Sequence, residues 1–166
     1  NAVMLADART GQVRTVFTDR DSAWVETVDD LLWLEGGRSF TWVSEQDGWR
    51  HVYAVSRDNG RARLLTPWPM DVMKVSLVDE KGGWLYFIAS PENAARRYLY
   101  RSRLDGSGRP ERLTPATAEG WNEYEISPDG RWAFHTHSRF DLPTSWALVR
   151  LPGHELVRVM ADGRGP

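Results

Sequence analysis

The sequence predicts an all-β fold: a partial β-propeller of about three and a half four-stranded antiparallel blades. Three observations carry this. First, a Gly-Arg element followed by apolar residues and a threonine recurs. It reads Gly60-Arg61-Ala62-Arg63-Leu64-Leu65-Thr66 and Gly108-Arg109-Pro110-Glu111-Arg112-Leu113-Thr114, with a looser copy from Gly11 to Thr18, so the threonines at 18, 66 and 114 are 48 residues apart. Second, a glycine turn recurs in step, at Gly37, Gly83 and Gly130, with spacings of 46 and 47 residues. Third, Gly, Asn and Asp turns interrupt every apolar run well before a helix of mean length, ~11 residues, could form.

Each element follows in order. Ala2-Val3-Met4-Leu5 turns through Arg9-Thr10-Gly11 into the first threonine element, so residues 1–18 read as the outer half of a blade. A full blade is expected at about 24–66. It holds the strand Ser39-Phe40-Thr41-Trp42, the turn Asp47-Gly48, the strand His51-Val52-Tyr53-Ala54-Val55 and the turn Asp58-Asn59-Gly60. The next blade spans about 72–114. In it Val72, Val75 and Leu77 fit two short strand pieces better than a helix, and Leu85 to Ala89 is apolar throughout, as in a strand covered on both faces. The last blade spans about 122–160, with the turn Pro128-Asp129-Gly130, the strands around Phe134 and Trp146-Ala147-Leu148-Val149, and a degenerate Gly153–Met160 copy. A serine is expected to close each second strand, at Ser44, Ser90 and Ser138. Trp24, Trp68 and Trp121 fall in the connectors and read as packing between blades.

Dividing 166 residues by a period near 47 leaves an incomplete ring, since propellers typically carry about 4–8 blades. The chain therefore reads as a segment of a longer protein, and open blade ends predict self-association. The net charge of −2 provides no electrostatic reason to expect nucleic acid. With no cysteine there is no disulfide and no thiolate metal site. No stretch approaches the ~18 apolar residues of a membrane span. No secretory signal is read, and because the text begins inside a blade the compartment stays open.

No Gly-x-Ser-x-Gly nucleophile elbow occurs, and nothing arranges Ser, His and Asp as a triad, so no catalytic residue, no cofactor and no metal are expected in this chain. His135 and His137 are two apart on an expected strand and share a face. A third ligand is not evident, Asp141 being the nearest candidate, and hydrogen-bonded structural histidines are the expected reading, with a metal-dependent propeller hydrolase as the alternative. The densest polar cluster is Ser44-Glu45-Gln46-Asp47-Gly48-Trp49-Arg50-His51-Val52-Tyr53. Its Glu45, Asp47, Trp49, Arg50 and His51 are the candidate site residues. They can bind the charged end of a substrate, or satisfy one another and the amides of the turn.

This decapeptide resembles the Ser-Glu-x-Asp-Gly-(aromatic)-x-His-(aliphatic)-Tyr stretch of dipeptidyl peptidase IV-like enzymes of the prolyl oligopeptidase family. The resemblance extends through Trp33–Phe40 and Leu64-Leu65-Thr66. It implies a propeller that walls the substrate chamber of a serine exopeptidase and gates peptide access. It also implies an α/β-hydrolase domain C-terminal to the propeller as the partner that carries the Ser-Asp-His triad. The family's anchoring pair of adjacent glutamates has no counterpart, since no Glu-Glu dipeptide occurs here. The resemblance favours a periplasmic or secreted parent, with the cytoplasm as the alternative. A non-enzymatic propeller used as a protein-interaction scaffold is the other functional class the fold allows.

Overall fold

The computed structural model describes residues 1–27 and 31–162; positions 28–30 of the expected 24–66 blade, and 163–166, lie outside the described residues. Among the described residues the regular structure is entirely β. A two-stranded sheet pairs β1 (Ala2–Ala6) with β2 (Val13–Thr18). Three four-stranded antiparallel sheets follow in chain order. The first runs β3 (Trp33–Leu34), β4 (Ser39–Ser44), β5 (His51–Ser56), β6 (Ala62–Leu64). The second runs β7 (Val72–Asp79), β8 (Trp84–Ala89), β9 (Tyr98–Arg103), β10 (Glu111–Arg112). The third runs β11 (Trp121–Ile126), β12 (Trp132–Arg139), β13 (Leu142–Arg150), β14 (Glu155–Ala161). Three meanders of four strands and one half-meander are the partial propeller that the period requires. The segment from Val72 is one strand rather than two pieces, with bulges between Val72 and Lys74 and between Val75 and Leu77 that keep it paired to β8.

The chain divides into two compact units, Asn1–Pro67 and Trp68–Pro166. In the first, Phe40, Trp42, Tyr53 and Val55 form a core with Val16, onto which Val3, Leu5 and Phe17 pack. Phe40 pairs with Val55 and Trp42 with Tyr53 across β4 and β5, so one face of the sheet supplies all four. Phe17 meets Trp42 edge-on at 5.8 Å. In the second unit Tyr86, Ile88, Leu99 and Leu113 pack against Tyr124, Ala133, Val149 and Leu151.

The repeat threonines are buried structural acceptors. Thr66 Oγ1 accepts the amide of Val52 at 2.9 Å and Thr114 Oγ1 accepts that of Leu99 at 2.8 Å. These bonds make Val52 and Leu99 equivalent, 47 residues apart, yet their partners Val43 and Ile88 are 45 apart. The turn glycines, 46 apart, are therefore out of register with the strands they precede by one residue. That single-residue offset also moves the closing serine of the second blade: Ser44 ends β4, whereas Ser90 lies just beyond β8; Ser138, 48 residues further on, sits inside the longer β12.

The tryptophans of the connectors behave differently from the expected packing role. Trp24 is 77% exposed. Trp121 is the first residue of β11 rather than part of a connector, and the Arg97 guanidinium lies 3.6 Å from its ring centroid. Trp68 donates its indole N–H to the Gly108 carbonyl at 3.3 Å.

Candidate functional site

The candidate residues sit on the turn joining β4 to β5. Gly48, with φ 92°, supplies the left-handed conformation that the turn demands, and its amide donates to Glu45 O at 2.9 Å. The Gln46 amide donates to Ser44 Oγ at 3.2 Å, and the Trp49 amide to Asp47 Oδ1 at 3.3 Å. The turn is thus folded on its own polar side chains.

Asp47 and His51 form its hub. Asp47 Oδ2 lies 2.8 Å from His51 Nδ1, and the His51 side chain is almost wholly buried. The Tyr53 hydroxyl also bonds Asp47. Partial burial alone would raise the Asp47 carboxyl, but the bonds from His51, Tyr53 and the Trp49 amide hold it below the usual carboxylate range. Burial, with the bond to Asp47, pushes the Tyr53 phenol up to about 12. Glu45 and Trp49 are exposed, and Arg50 approaches Glu26 at 3.8 Å. A shallow cleft joins Glu45, Arg50, Asp19, Arg20, Trp24 and Glu26. The structure therefore brings Asp47 and His51 together as a turn lock and leaves Glu45, Trp49 and Arg50 on the surface beside it.

Asp19 escapes a reading of the sequence. It is only 5% exposed and lies under the hairpin, where its carboxylate accepts the Trp42 indole N–H at 2.8 Å and the Ser44 hydroxyl at 2.9 Å. Its position directly after the looser threonine copy is the only signal the sequence offers.

His135 and His137 do not converge on a common point. His135 Nε2 meets Asn122 Oδ1 at 2.8 Å, and its ring stacks on Tyr124 at 4.4 Å. His137 Nε2 instead donates to the Glu119 carbonyl at 2.8 Å. The Tyr124 hydroxyl links Thr114 Oγ1 at 3.0 Å to His154 Nε2 at 2.8 Å. Burial, reinforced by the neighbouring His154 and His137, pushes His135 down to about 3. Burial likewise raises the Tyr124 phenol, against the opposing effects of Thr114 and Arg112. Among the described residues no group of three His, Cys, Asp or Glu side chains is placed to hold a metal ion. Asp141 pairs with Arg139 at 2.6 Å instead.

The family model described as Dipeptidyl peptidase IV (DPP IV) N-terminal region matches residues 1–144. The chain belongs to this family. Among its relatives, the probable dipeptidyl-aminopeptidase B of Coccidioides posadasii is 29% identical over 168 residues, covering 93% of this chain and 18% of the relative. That of Aspergillus oryzae is 30% identical over 112 residues, covering 66% of this chain and 12% of the relative. The crystal structure of Porphyromonas gingivalis dipeptidyl peptidase 4 superposes with a TM-score of 0.84 at 24% identity, over 97% of this chain and 22% of that one. The chain thus spans under a quarter of the length of each of these proteins. In this dipeptidyl peptidase IV N-terminal region, the hairpin that carries the resemblance is a closed hydrogen-bonded unit. Among the described residues no helix is long and apolar enough to cross a membrane.

Proposed function

We propose that this chain is the propeller portion of a serine-type dipeptidyl peptidase, where it walls the substrate chamber and gates the entry of peptide ends. The observation that carries the reading is the family match over residues 1–144, together with relatives that are several times longer. The triad in this reading belongs to an α/β-hydrolase domain of the same parent, C-terminal to the propeller. Within each unit the blades are held by buried threonines and aromatic faces. Asp47 and His51 hold the β4–β5 turn, and Glu45, Trp49 and Arg50 are the members of the cluster placed to meet a peptide.

The test uses the full-length parent. It should release dipeptides from Xaa-Pro and Xaa-Ala chromogenic substrates and react with a fluorophosphonate probe, because an activated serine needs a base and oxyanion donors. Removing the propeller should let the hydrolase domain accept larger or N-blocked substrates. A parent that neither releases dipeptides nor reacts with the probe overturns the reading.

A further inference from the structure

The cleft between the segment that follows β2 and the β4–β5 turn holds a carboxylate whose charge the protein does not balance. Asp19, in its buried part, accepts the Trp42 indole N–H on one oxygen and the Ser44 hydroxyl on the other. Both donors are neutral. Among the described residues Asp19 forms no ion pair, and neither does Glu45 at the exposed edge of the cleft. Buried charges in folded proteins are paired, because desolvation penalises a lone one. Acids also outnumber bases in the lining. Asp19, Asp21, Glu26 and Glu45 stand against Arg20 and Arg50, and Arg50 already approaches Glu26 at 3.8 Å. The ligand that such a cleft favours is a cation.

Trp24 supplies an aromatic wall. Asp21 Oδ1 accepts the amides of Ala23 at 2.7 Å and Trp24 at 3.4 Å, which holds the backbone there, while the indole ring stays open to solvent. An open indole beside carboxylates attracts a cation and covers the apolar stem that carries it. Size then selects among cations. Among the described residues no three His, Cys, Asp or Glu side chains are placed to hold a metal ion. The enclosed space is about 30 Å³, room for about two water-sized groups. The planar guanidinium of arginine is too broad for it. A peptide's own amino terminus is branched at the adjoining carbon. A lysine ammonium is a compact charge on a flexible, unbranched stem. We propose that this cleft is a subsite for a lysine side chain of a bound peptide, with the ammonium at Asp19 and Glu45 and the stem on the Trp24 ring. The origin of that peptide rests on the peptidase reading; the binding itself does not.

Nuclear magnetic resonance of the chain tests it. The Trp42 indole N–H is bonded to Asp19, so its resonance moves when a cation settles there. At neutral pH and millimolar concentration, Nα-acetyl-lysine amide should shift the Trp42 and Trp24 indole resonances in a saturable way. Nα-acetyl-norleucine amide, with a similar stem and no charge, should leave both in place. Nα-acetyl-arginine amide, and glycine amide with its α-ammonium, should bind at least about fivefold more weakly than the lysine probe. Glu45→Gln and Trp24→Ala, both at exposed positions, should each weaken lysine binding by about two- to fivefold. Raising the salt should weaken it as well. No saturable shift with the lysine probe, an equal response to the norleucine, arginine or glycine probe, or indifference to both variants overturns the proposal. These outcomes are read on the chain alone. A parent that releases dipeptides does not rescue a cleft that ignores lysine, and a parent without peptidase activity does not undo lysine binding.

Discussion

The side-chain oxygen of Thr66 accepts the backbone amide proton of Val52 at 2.9 Å. Both residues are fully buried, and Thr114 repeats the arrangement on Leu99. A ladder position that the short outer strand cannot reach is satisfied by a side chain instead. Thr66→Val keeps the shape but leaves that amide unpaired, and should cost about 1–3 kcal/mol in urea denaturation. Thr66→Ser keeps the acceptor and should cost clearly less. Equal losses in the two variants would refute the hydrogen-bond account.

Asp19 anchors the β4–β5 hairpin from below through Trp42 and Ser44. Asp19→Ala orphans two buried donors and should destabilise by about 2–4 kcal/mol. In a Trp42→Phe background the same change should cost less, because one of those donors is already gone. The difference is the coupling energy that a double-mutant cycle reads. Additive losses would mean that the carboxylate acts elsewhere.

Much of this fold is legible in the sequence because the repeat is written in residues with one conformational job. Glycine marks left-handed turns, and β-branched and aromatic runs mark strands. The threonine is legible as a repeat mark, while its role as an acceptor for Val52 is not, since nothing local indicates which amide it meets. The one-residue offset between turn glycines and strands is hidden for the same reason: pairing is a non-local property. Of the candidate site, Asp47 and His51 are four residues apart, and their contact follows from a tight turn. Asp19 lies 23 and 25 residues from its partners, with no pattern linking them. Trp24 shows the opposite failure, where residue type suggests burial and the structure leaves the ring exposed, while Trp121 is covered by the Arg97 guanidinium instead of an apolar face.

The Tyr124–His135 stack predicts acid sensitivity. The folded state holds His135 at about 3, below its ordinary value of 6.5, because burial penalises the imidazolium. The unfolded chain binds that proton first as the pH falls. Stability conferred by the neutral ring is therefore fully present above pH ~6.5 and is lost progressively as the pH falls towards the folded value. His154, also depressed by burial, adds to the same trend. Facing these rings are Tyr124, His137 and, more distantly, Arg112. His135→Leu should lower stability at neutral pH, since it strips Asn122 Oδ1 of its partner, and should flatten the decline between pH 6.5 and 4. An unchanged slope would place the acid-sensitive group elsewhere.

The Asp47 hub responds to pH at both ends. Its carboxyl is depressed in the fold, so the stability it confers is present above the ordinary carboxylate value of about 3.9 and is lost as the pH falls through its lower folded value. Tyr53 is raised to about 12, so its contribution is intact below pH ~10 and is lost as the pH rises towards 12. Asp47→Ala should remove the acidic component and reduce the upward shift of Tyr53. Ultraviolet titration of the phenols follows the second effect directly. A Tyr53 titration that is the same in wild type and Asp47→Ala would sever the link between them.

Gly60 separates backbone strain from steric exclusion. Its φ is 68°, and a Cβ placed there would lie 2.0 Å from the Val16 carbonyl oxygen. Arg14 crosses the same gap, donating to Arg57 O at 2.8 Å, so the β5–β6 hairpin and β2 are held in close approach. Gly108, its counterpart in the next repeat, has φ 74° with nothing within 4 Å of an added Cβ. Gly108→Ala should therefore cost only the left-handed backbone penalty, about 1–2 kcal/mol. Gly60→Ala carries that penalty and must also push β2 away, since the obstacle is backbone and cannot rotate aside. Its loss in urea denaturation should exceed that of Gly108→Ala by about 1–3 kcal/mol, the usual range for overpacking. Equal losses would show that the β5–β6 hairpin moves freely against β2, and that Gly60 is retained for its turn alone.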